Sequence, residues 1–192
     1  MNCACPPSSR HAHRRIATMA AAALLAAVAT ACGGGSGPAA DPAPPTADLS
    51  AVRSFEITAQ AHVATPVQYD QSPPVGGDHN PVWQNCGSYT EVVANEMAVH
   101  SMEHGAVWIA HDPGLAEDDI RLLRARAEGQ THVLVTPYAG LGQRIVLSAW
   151  GKQLTVDTAD DLRIAAFVAA YQQGPQTPEP GAPCSGATGE PL

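Results

Sequence analysis

Three histidines and two glutamates lie in the middle of the chain at spacings that suit a metal site. His100 and His104 are four residues apart, so they share one face of a helix, and an even spacing would also place them on one side of a strand. Glu96 and Glu103 lie on the same segment, and His79 follows a turn rich in Gly and Pro. Three imidazoles with a nearby carboxylate suit Zn²⁺ or Cu²⁺. The sequence therefore predicts a site for a transition metal (Cu or Zn) formed by His79, His100 and His104, with Glu96 or Glu103 as a ligand or as the partner of a ligand.

Other interpretations of the same segment stay open. Met97 and Met102 could add thioether ligands and favour copper. Ser101 follows His100, so the segment lacks the HExxH pattern of metalloproteases. The alternative hypothesis is a metal-free extracytoplasmic interaction module with a structural His/Glu network, in which each histidine pairs with a carboxylate or a carbonyl and ties a loop to a helix. A weaker hypothesis is a metal-dependent hydrolase with Glu103 as the base.

The remaining histidines of the exported part, His62, His111 and His132, are expected to be surface or strand residues. The sequence contains no nucleophile elbow, no phosphate-binding loop and no dinucleotide fingerprint, so no catalytic residue is assigned. The leading interpretation is a protein that binds or handles a metal, and not an enzyme.

The hydrophobic pattern predicts the elements that must position these side chains. The predicted order is strand, helix, strand, helix, strand, strand, helix, and the segments are the second half of 55–69, 91–104, 106–110, 115–128, 132–137, 145–150 and 159–172. This order indicates an α+β (or α/β) fold, with a small mixed sheet covered by helices. Thioredoxin-like folds share the order, although no CxxC opens the first helix.

An export signal precedes the predicted domain. Arg10, Arg14 and Arg15 are followed by an apolar run at 16–31, about 16 residues long, which is short for a membrane-spanning helix of roughly 20. The run ends at Cys32 in a pattern that resembles a lipobox, with Ala29 where Leu is usual. The sequence predicts a signal peptide at 1–31, a lipidated Cys32 and a flexible Gly/Pro/Ala linker at 32–54. A plain secretory signal and an uncleaved anchor are the alternatives.

The domain is then predicted at 55–173, followed by a tail rich in Pro and Gly at 174–192. Of five cysteines, Cys3 and Cys5 leave with the signal and Cys32 carries lipid, which leaves Cys86 and Cys184. In an oxidising compartment one disulfide between them would fasten the tail to the domain. Two free thiols or a thiolate metal ligand are the weaker alternatives, since the two cysteines form no CxxC pair.

Charge restricts the partners of the exported chain. The sequence has 10 basic and 18 acidic residues, and three of the basic ones but none of the acidic ones precede Cys32. The exported part therefore carries seven basic and 18 acidic residues, a net charge of −11. Such a surface repels nucleic acid and anionic lipid, so we predict no nucleic-acid partner and contact with the membrane only through the lipid. The predicted location is the outer face of the cytoplasmic membrane.

Long motifs of this chain resemble the bacterial domain of unknown function 3105 family. The similarity extends from about Ala59 to Cys184, and the segments that carry it are 74–87, 95–109, 148–151 and 174–184. The family pattern includes the positions of His79, Glu96, His100, Glu103 and His104, and often has Leu at the position of Met102. The resemblance implies an exported or membrane-anchored protein of the kind found in actinobacteria and related groups. It leaves the activity open.

Overall fold

Six strands form one mixed sheet within residues 47–141 and 144–192, the parts of the chain that the computed structural model describes. The strand bounds are Arg53–Ser54 for β1, Gly87–Ser88 for β2, Val107–His111 for β3, Val133–Pro137 for β4, Ile145–Ala149 for β5 and Lys152–Val156 for β6. The sheet order is β1-β6-β5-β3-β4-β2, so β5 and β3 are its two central strands. Strands β2, β3 and β4 are parallel to one another, whereas β5 and β6 continue the sheet in antiparallel pairs.

Helices cover both faces of this sheet. Helix α1 spans Asn95–Glu103, α2 spans Glu117–Arg124 and α3 spans Leu162–Tyr171. The side chains of β3 alternate in direction, as strand geometry requires. Val107 and Ile109 pack in one core with residues of α2 and α3, whereas Trp108 and Ala110 pack in a second core with residues of α1. Helix α1 is therefore held against one face of the sheet, and α2 and α3 against the other.

The predicted α+β class with a mixed sheet is confirmed, and the helix and strand positions at β3, α2, β4, β5 and α3 agree with the sequence pattern to within a few residues. Strand β6 was not predicted. It forms a hairpin with β5 through a turn at Trp150 and Gly151, where the φ of +65° at Gly151 suits a residue without a side chain. The order β2-β4-β3-β5-β6 is compatible with a thioredoxin-like topology.

The prediction of a strand in the second half of 55–69 was wrong. This segment has one isolated bridge, between His62 and His79, and its backbone pairs with a loop instead of the sheet. Val63 N donates to His79 O at 2.7 Å, and His79 N donates to Ala61 O at 2.9 Å. Pro66 removes one donor from the run, which disfavours a longer ladder.

The packed part of the chain begins earlier than the predicted domain. Before residue 55, Leu49 and Val52 pack against the core and β1 pairs with β6. The predicted signal peptide, the lipidated Cys32 and most of the linker lie outside the described residues. Among the described helices, none is long and apolar enough to cross a membrane.

Candidate metal centre

The last turn of α1 carries three of the candidate side chains. Ala98, Val99 and Met102 are fully buried and hold one face of the helix against the core. His100, Glu103 and His104 project from a different face, three and four residues apart, as helix periodicity requires. Gly105 ends the helix with a φ of +101°, and a Cβ there would lie 2.9 Å from Gln173 Cα. The helix thus stops where its C-terminal end meets the tail of the chain.

His79 reaches this turn from a loop shaped by two glycines. Gly76 and Gly77 have φ values of +144° and +121°, a region that side chains rarely occupy. His79 is fully buried, and its Nε2 lies 3.0 Å from Glu103 Oε2. The segment around His62, whose backbone pairs with that of His79, brings the His62 side chain to the same turn of α1. Its Nε2 lies 3.4 Å from Glu103 Oε2. The His62 ring stacks on the His100 ring at 4.7 Å between centroids.

Four side chains therefore converge. One potential ligand atom from each of His62, His79, His100 and Glu103 lies within 4.8 Å of the other three. Ligands on a tetrahedral Zn²⁺ at 2.0–2.1 Å are separated by about 3.3 Å, so small side-chain rotations would complete a coordination shell. His79, His100 and Glu103 are buried, whereas the side chain of His62 is 47% exposed. The group is thus open to solvent on the side where His62 lies.

Backbone carbonyls fix the tautomer of three of the histidines. Nδ1 of His79 lies 2.8 Å from Gly77 O, Nδ1 of His100 lies 2.7 Å from Asn80 O, and Nδ1 of His104 lies 2.7 Å from Pro183 O. A carbonyl oxygen only accepts, so each Nδ1 carries the proton and donates. In a neutral imidazole this leaves the lone pair on Nε2, the form that ligates metals.

The Nε2 atoms then meet other acceptors. His79 Nε2 lies 3.0 Å from a carboxylate oxygen of Glu103, and the Nε2 atoms of His100 and His104 lie 3.0 Å apart. Two lone pairs at hydrogen-bond distance repel each other unless a proton or a metal cation lies between them. The chemistry of this group of donors therefore fits a cation.

The environment of His100 favours the neutral imidazole, which is the form that binds metal ions. The pKa of His100 is lowered from 6.5 to about 4, mainly by burial; the hydrogen bond to Asn80 O opposes the shift, and positive charge on the neighbouring histidines contributes to it. At neutral pH the ring is neutral, so a metal ion does not compete with a proton there. The group also lies at the C-terminal end of α1, where the partial negative charge of the helix favours cations.

The predicted ligands do not all gather around one point. His79, His100 and Glu103 come together as the sequence suggested, and His104 lies beside His100 but belongs to a second group with Glu103 and Glu179. Glu96 lies in neither group, because its Oε1 accepts a hydrogen bond from Val67 N at 3.0 Å. The sequence did not predict that His62 and Glu179 belong to these groups. No spacing pointed to them, because both lie on segments far from α1 in sequence.

The remaining candidates have structural roles. Met102 is fully buried in the core with Trp108, so it offers no thioether to the site. His111 is buried on β3, where burial lowers its pKa. His132 is also buried and contacts Ala182 O at 2.9 Å. His111 and His132 were expected to be surface or strand residues. This is confirmed for His111, which lies on β3, and it is wrong for His132, which is buried just before β4.

Trp83 covers the side of the group formed by the α1 histidines. Its ring centroid lies 4.8 Å from that of His104 and 5.5 Å from that of His100. Its Nε1 is buried without a hydrogen-bond partner among the described residues. An indole at this distance reduces access of water from one side, and its fluorescence would respond to a bound paramagnetic ion.

The predicted disulfide between Cys86 and Cys184 is present, with 5.3 Å between the Cα atoms. Cys86 N also donates to Cys184 O at 2.7 Å. The bridge fastens the tail beside the site, one residue from the carbonyl that orients His104. Neither cysteine is free to act as a thiolate ligand while the disulfide is intact.

A family model described as a protein of unknown function (DUF3105) matches residues 62–186. This chain belongs to that family, and the resemblance seen in its motifs is confirmed. Comparisons with curated proteins and with solved structures gave no match.

Proposed function

We propose that this member of the DUF3105 family is an exported lipoprotein that binds one divalent transition-metal ion, Zn²⁺ or Cu²⁺, through His62, His79, His100 and Glu103. The observation that carries the proposal is the meeting of acceptors at the end of α1. Two of these histidines donate through Nδ1 to carbonyls, and their Nε2 lone pairs face a shared carboxylate or another Nε2. A bound cation removes the repulsion.

Ligand type favours these two ions. The group contains imidazole and carboxylate donors, which suit Zn²⁺ and Cu²⁺, whereas soft thioether donors would suit Cu⁺. Met102 is buried in the core, so its thioether is not one of the candidate donors. Cu⁺ therefore should bind more weakly here than the divalent ions.

The proposal that the protein is exported is supported by the basic residues, the short apolar run and the cysteine near the start of the sequence. Removal of 1–31 and lipidation of Cys32 would place the domain outside the cytoplasm, where the disulfide between Cys86 and Cys184 is stable. A metal-binding domain on a lipid anchor suits capture or transfer of metal ions at the cell surface, which requires no catalysis.

A metal-free structural network is the second candidate function for the same side chains. Two of the three Nδ1 bonds, from His100 to Asn80 O and from His104 to Pro183 O, tie the loop before α1 and the tail after α3 to a single helix turn. This alternative explains the Nδ1 partners, but it requires an additional proton on a ring or on the carboxyl group to satisfy the Nε2 contacts.

Metal titration distinguishes the proposed metal site from the metal-free network. The full-length protein, purified and stripped with a chelator, should bind Zn²⁺ and Cu²⁺ in calorimetry, and Zn²⁺ should raise its melting temperature because the ion binds the folded state. His79→Gln and Glu103→Gln should abolish the effect at this site. The matched control is His111→Gln, a buried histidine outside both groups, which should retain uptake. Absence of saturable binding by the wild-type protein would leave only the structural network.

A further inference from the structure

We propose a second divalent-metal site, formed by His104, Glu179 and Glu103, that shares the Glu103 carboxylate with the first. The inference rests on the proposed function, because Glu103 is a ligand in both sites. The chain would then hold a carboxylate-bridged pair of transition-metal ions. The sequence had placed His104 around the same ion as His79 and His100.

One potential ligand atom from each of Glu103, His104 and Glu179 lies within 4.8 Å of the other two. His104 Nε2 is 3.5 Å from Glu179 Oε2. The side chains of His104 and Glu103 are each only 5% exposed, so two of the three ligands are buried. The site is therefore more than a cluster of surface acids.

His104 is oriented for metal binding by the tail. Its Nδ1 donates to Pro183 O at 2.7 Å, which leaves a lone pair on Nε2. That Nε2 faces two acceptors, His100 Nε2 at 3.0 Å and the Glu179 carboxylate at 3.5 Å. A cation at this position would be bound by all three groups.

The backbone holds Glu179 over this imidazole. Glu179 N donates to Glu103 O at 3.1 Å, so the tail is attached directly to the end of α1. The disulfide at Cys184 fastens the same tail five residues further on. Glu179 is 52% exposed and lies at the rim of the group, where a ligand can exchange.

The two sites are close enough to form one centre. His100 would ligate the first ion and His104 the second, and their Nε2 atoms are 3.0 Å apart. In two-metal sites the ions are about 3.5–4 Å apart, and a carboxylate with two oxygens can bridge them. The first site has four protein ligands and the second has three. The second ion therefore keeps an open position for water or for an anionic ligand.

Zn²⁺ titration of the purified, chelator-treated full-length protein tests the pair. We expect two equivalents for the wild type and one for Glu179→Gln and for His104→Gln. Glu190→Gln removes a charge from another exposed residue of the same tail and should keep two. Cu²⁺ loading gives a second readout: the two-ion form should show magnetic coupling in electron paramagnetic resonance, and Glu179→Gln should show an isolated ion.

The outcomes separate the two proposals. Saturation of the wild type at one equivalent, with Glu179→Gln unchanged, overturns the second site and leaves the first in place. Two equivalents in both Glu179→Gln and His104→Gln also overturn it, because the second ion then lies elsewhere. One equivalent that survives His79→Gln and is lost in Glu179→Gln supports the second site and rejects the first. No saturable uptake rejects both.

Discussion

His100 contacts several other groups of the site. Its Nδ1 donates to the loop at Asn80, its Nε2 faces His104, and its ring stacks on His62 and contacts Trp83 edge-on. Helix geometry alone sets its distance from Glu103 and His104. These contacts bury the imidazole, and burial disfavours its charged form.

The low pKa of His100 predicts a loss of stability in acid. The metal-free wild-type domain should lose up to about 3 kcal/mol of unfolding free energy from this group as pH falls from 6.5 to 4, because over this range the unfolded chain binds a proton that folded His100 does not. Urea denaturation at several pH values, with a chelator present, measures this slope.

His100→Gln serves as the comparison, since it cannot titrate in this range. Its stability should fall less steeply with acid than that of the wild type. The lowered pKa of His111 adds a slope of its own, but it adds the same slope to both proteins. Parallel curves for the two proteins would show that His100 titrates alike in the folded and unfolded chain.

The C-terminal tail acts as an element of the site even though it has no helix or strand. It supplies the carbonyl of Pro183 to His104, the carboxylate of Glu179 to the second group, and the carbonyl of Ala182 to His132. Its Pro and Gly content gives it little ability to pack alone. The disulfide and a few backbone hydrogen bonds therefore keep it in place.

Removal of the disulfide should loosen this element. The double variant Cys86→Ser, Cys184→Ser should lose about 4–5 kcal/mol of unfolding free energy in the chain-entropy model, because the bridge closes a loop of 98 residues. Zn²⁺ uptake should fall from two equivalents to one, because the disulfide no longer holds Glu179 and the Pro183 carbonyl beside His104. Urea midpoints and calorimetry measure the two effects.

Reduction of the wild type with dithiothreitol supplies a matched test without substitution. The reduced protein should match the double variant in urea midpoint. If the midpoint of the double variant equals that of the oxidised wild type, the tail is held by its hydrogen bonds alone.

Charge is distributed unevenly along the chain, with a basic start and an acidic remainder. All three arginines before Cys32 lie in the predicted signal peptide, and all 18 acidic residues lie after it. The net charge of −11 would raise the local concentration of cations near the domain, which suits a protein that collects metal ions. It would also repel the domain from anionic lipid, which agrees with the prediction that the protein contacts the membrane only through a lipid on Cys32.

The anchor prediction concerns Cys32. Wild-type protein should partition into detergent and incorporate labelled fatty acid, whereas Cys32→Ala should be released into the medium or remain as an uncleaved precursor. Cys3→Ala and Cys5→Ala change cysteines that leave with the signal, so both should behave as the wild type. A wild-type protein that stays soluble and unlabelled would contradict the lipoprotein interpretation.

Local patterns in the sequence were sufficient to predict much of this architecture. The α+β class and the positions of most elements followed from hydrophobic periodicity, because each buried segment shows the period of its own helix or strand. The bond between Cys86 and Cys184 followed from counting cysteines. Helix periodicity also explains why Met102 belongs to the core: it lies three and four residues from Val99 and Ala98, the buried face of α1.

The composition of the site depended on contacts between distant segments. Glu96 shares a helical face with His100, yet a loop that passes over the start of α1 places Val67 N within reach and takes its carboxylate away. His62 and Glu179 lie 41 residues before Glu103 and 75 residues after His104, and nothing local marks either as a ligand. They reach the site because a backbone pairing holds His62 against His79, and because a hydrogen bond to the end of α1 and a disulfide hold the tail. Sequence spacing predicts neighbours within one element, whereas ligands from loops are placed by the packing of the folded chain.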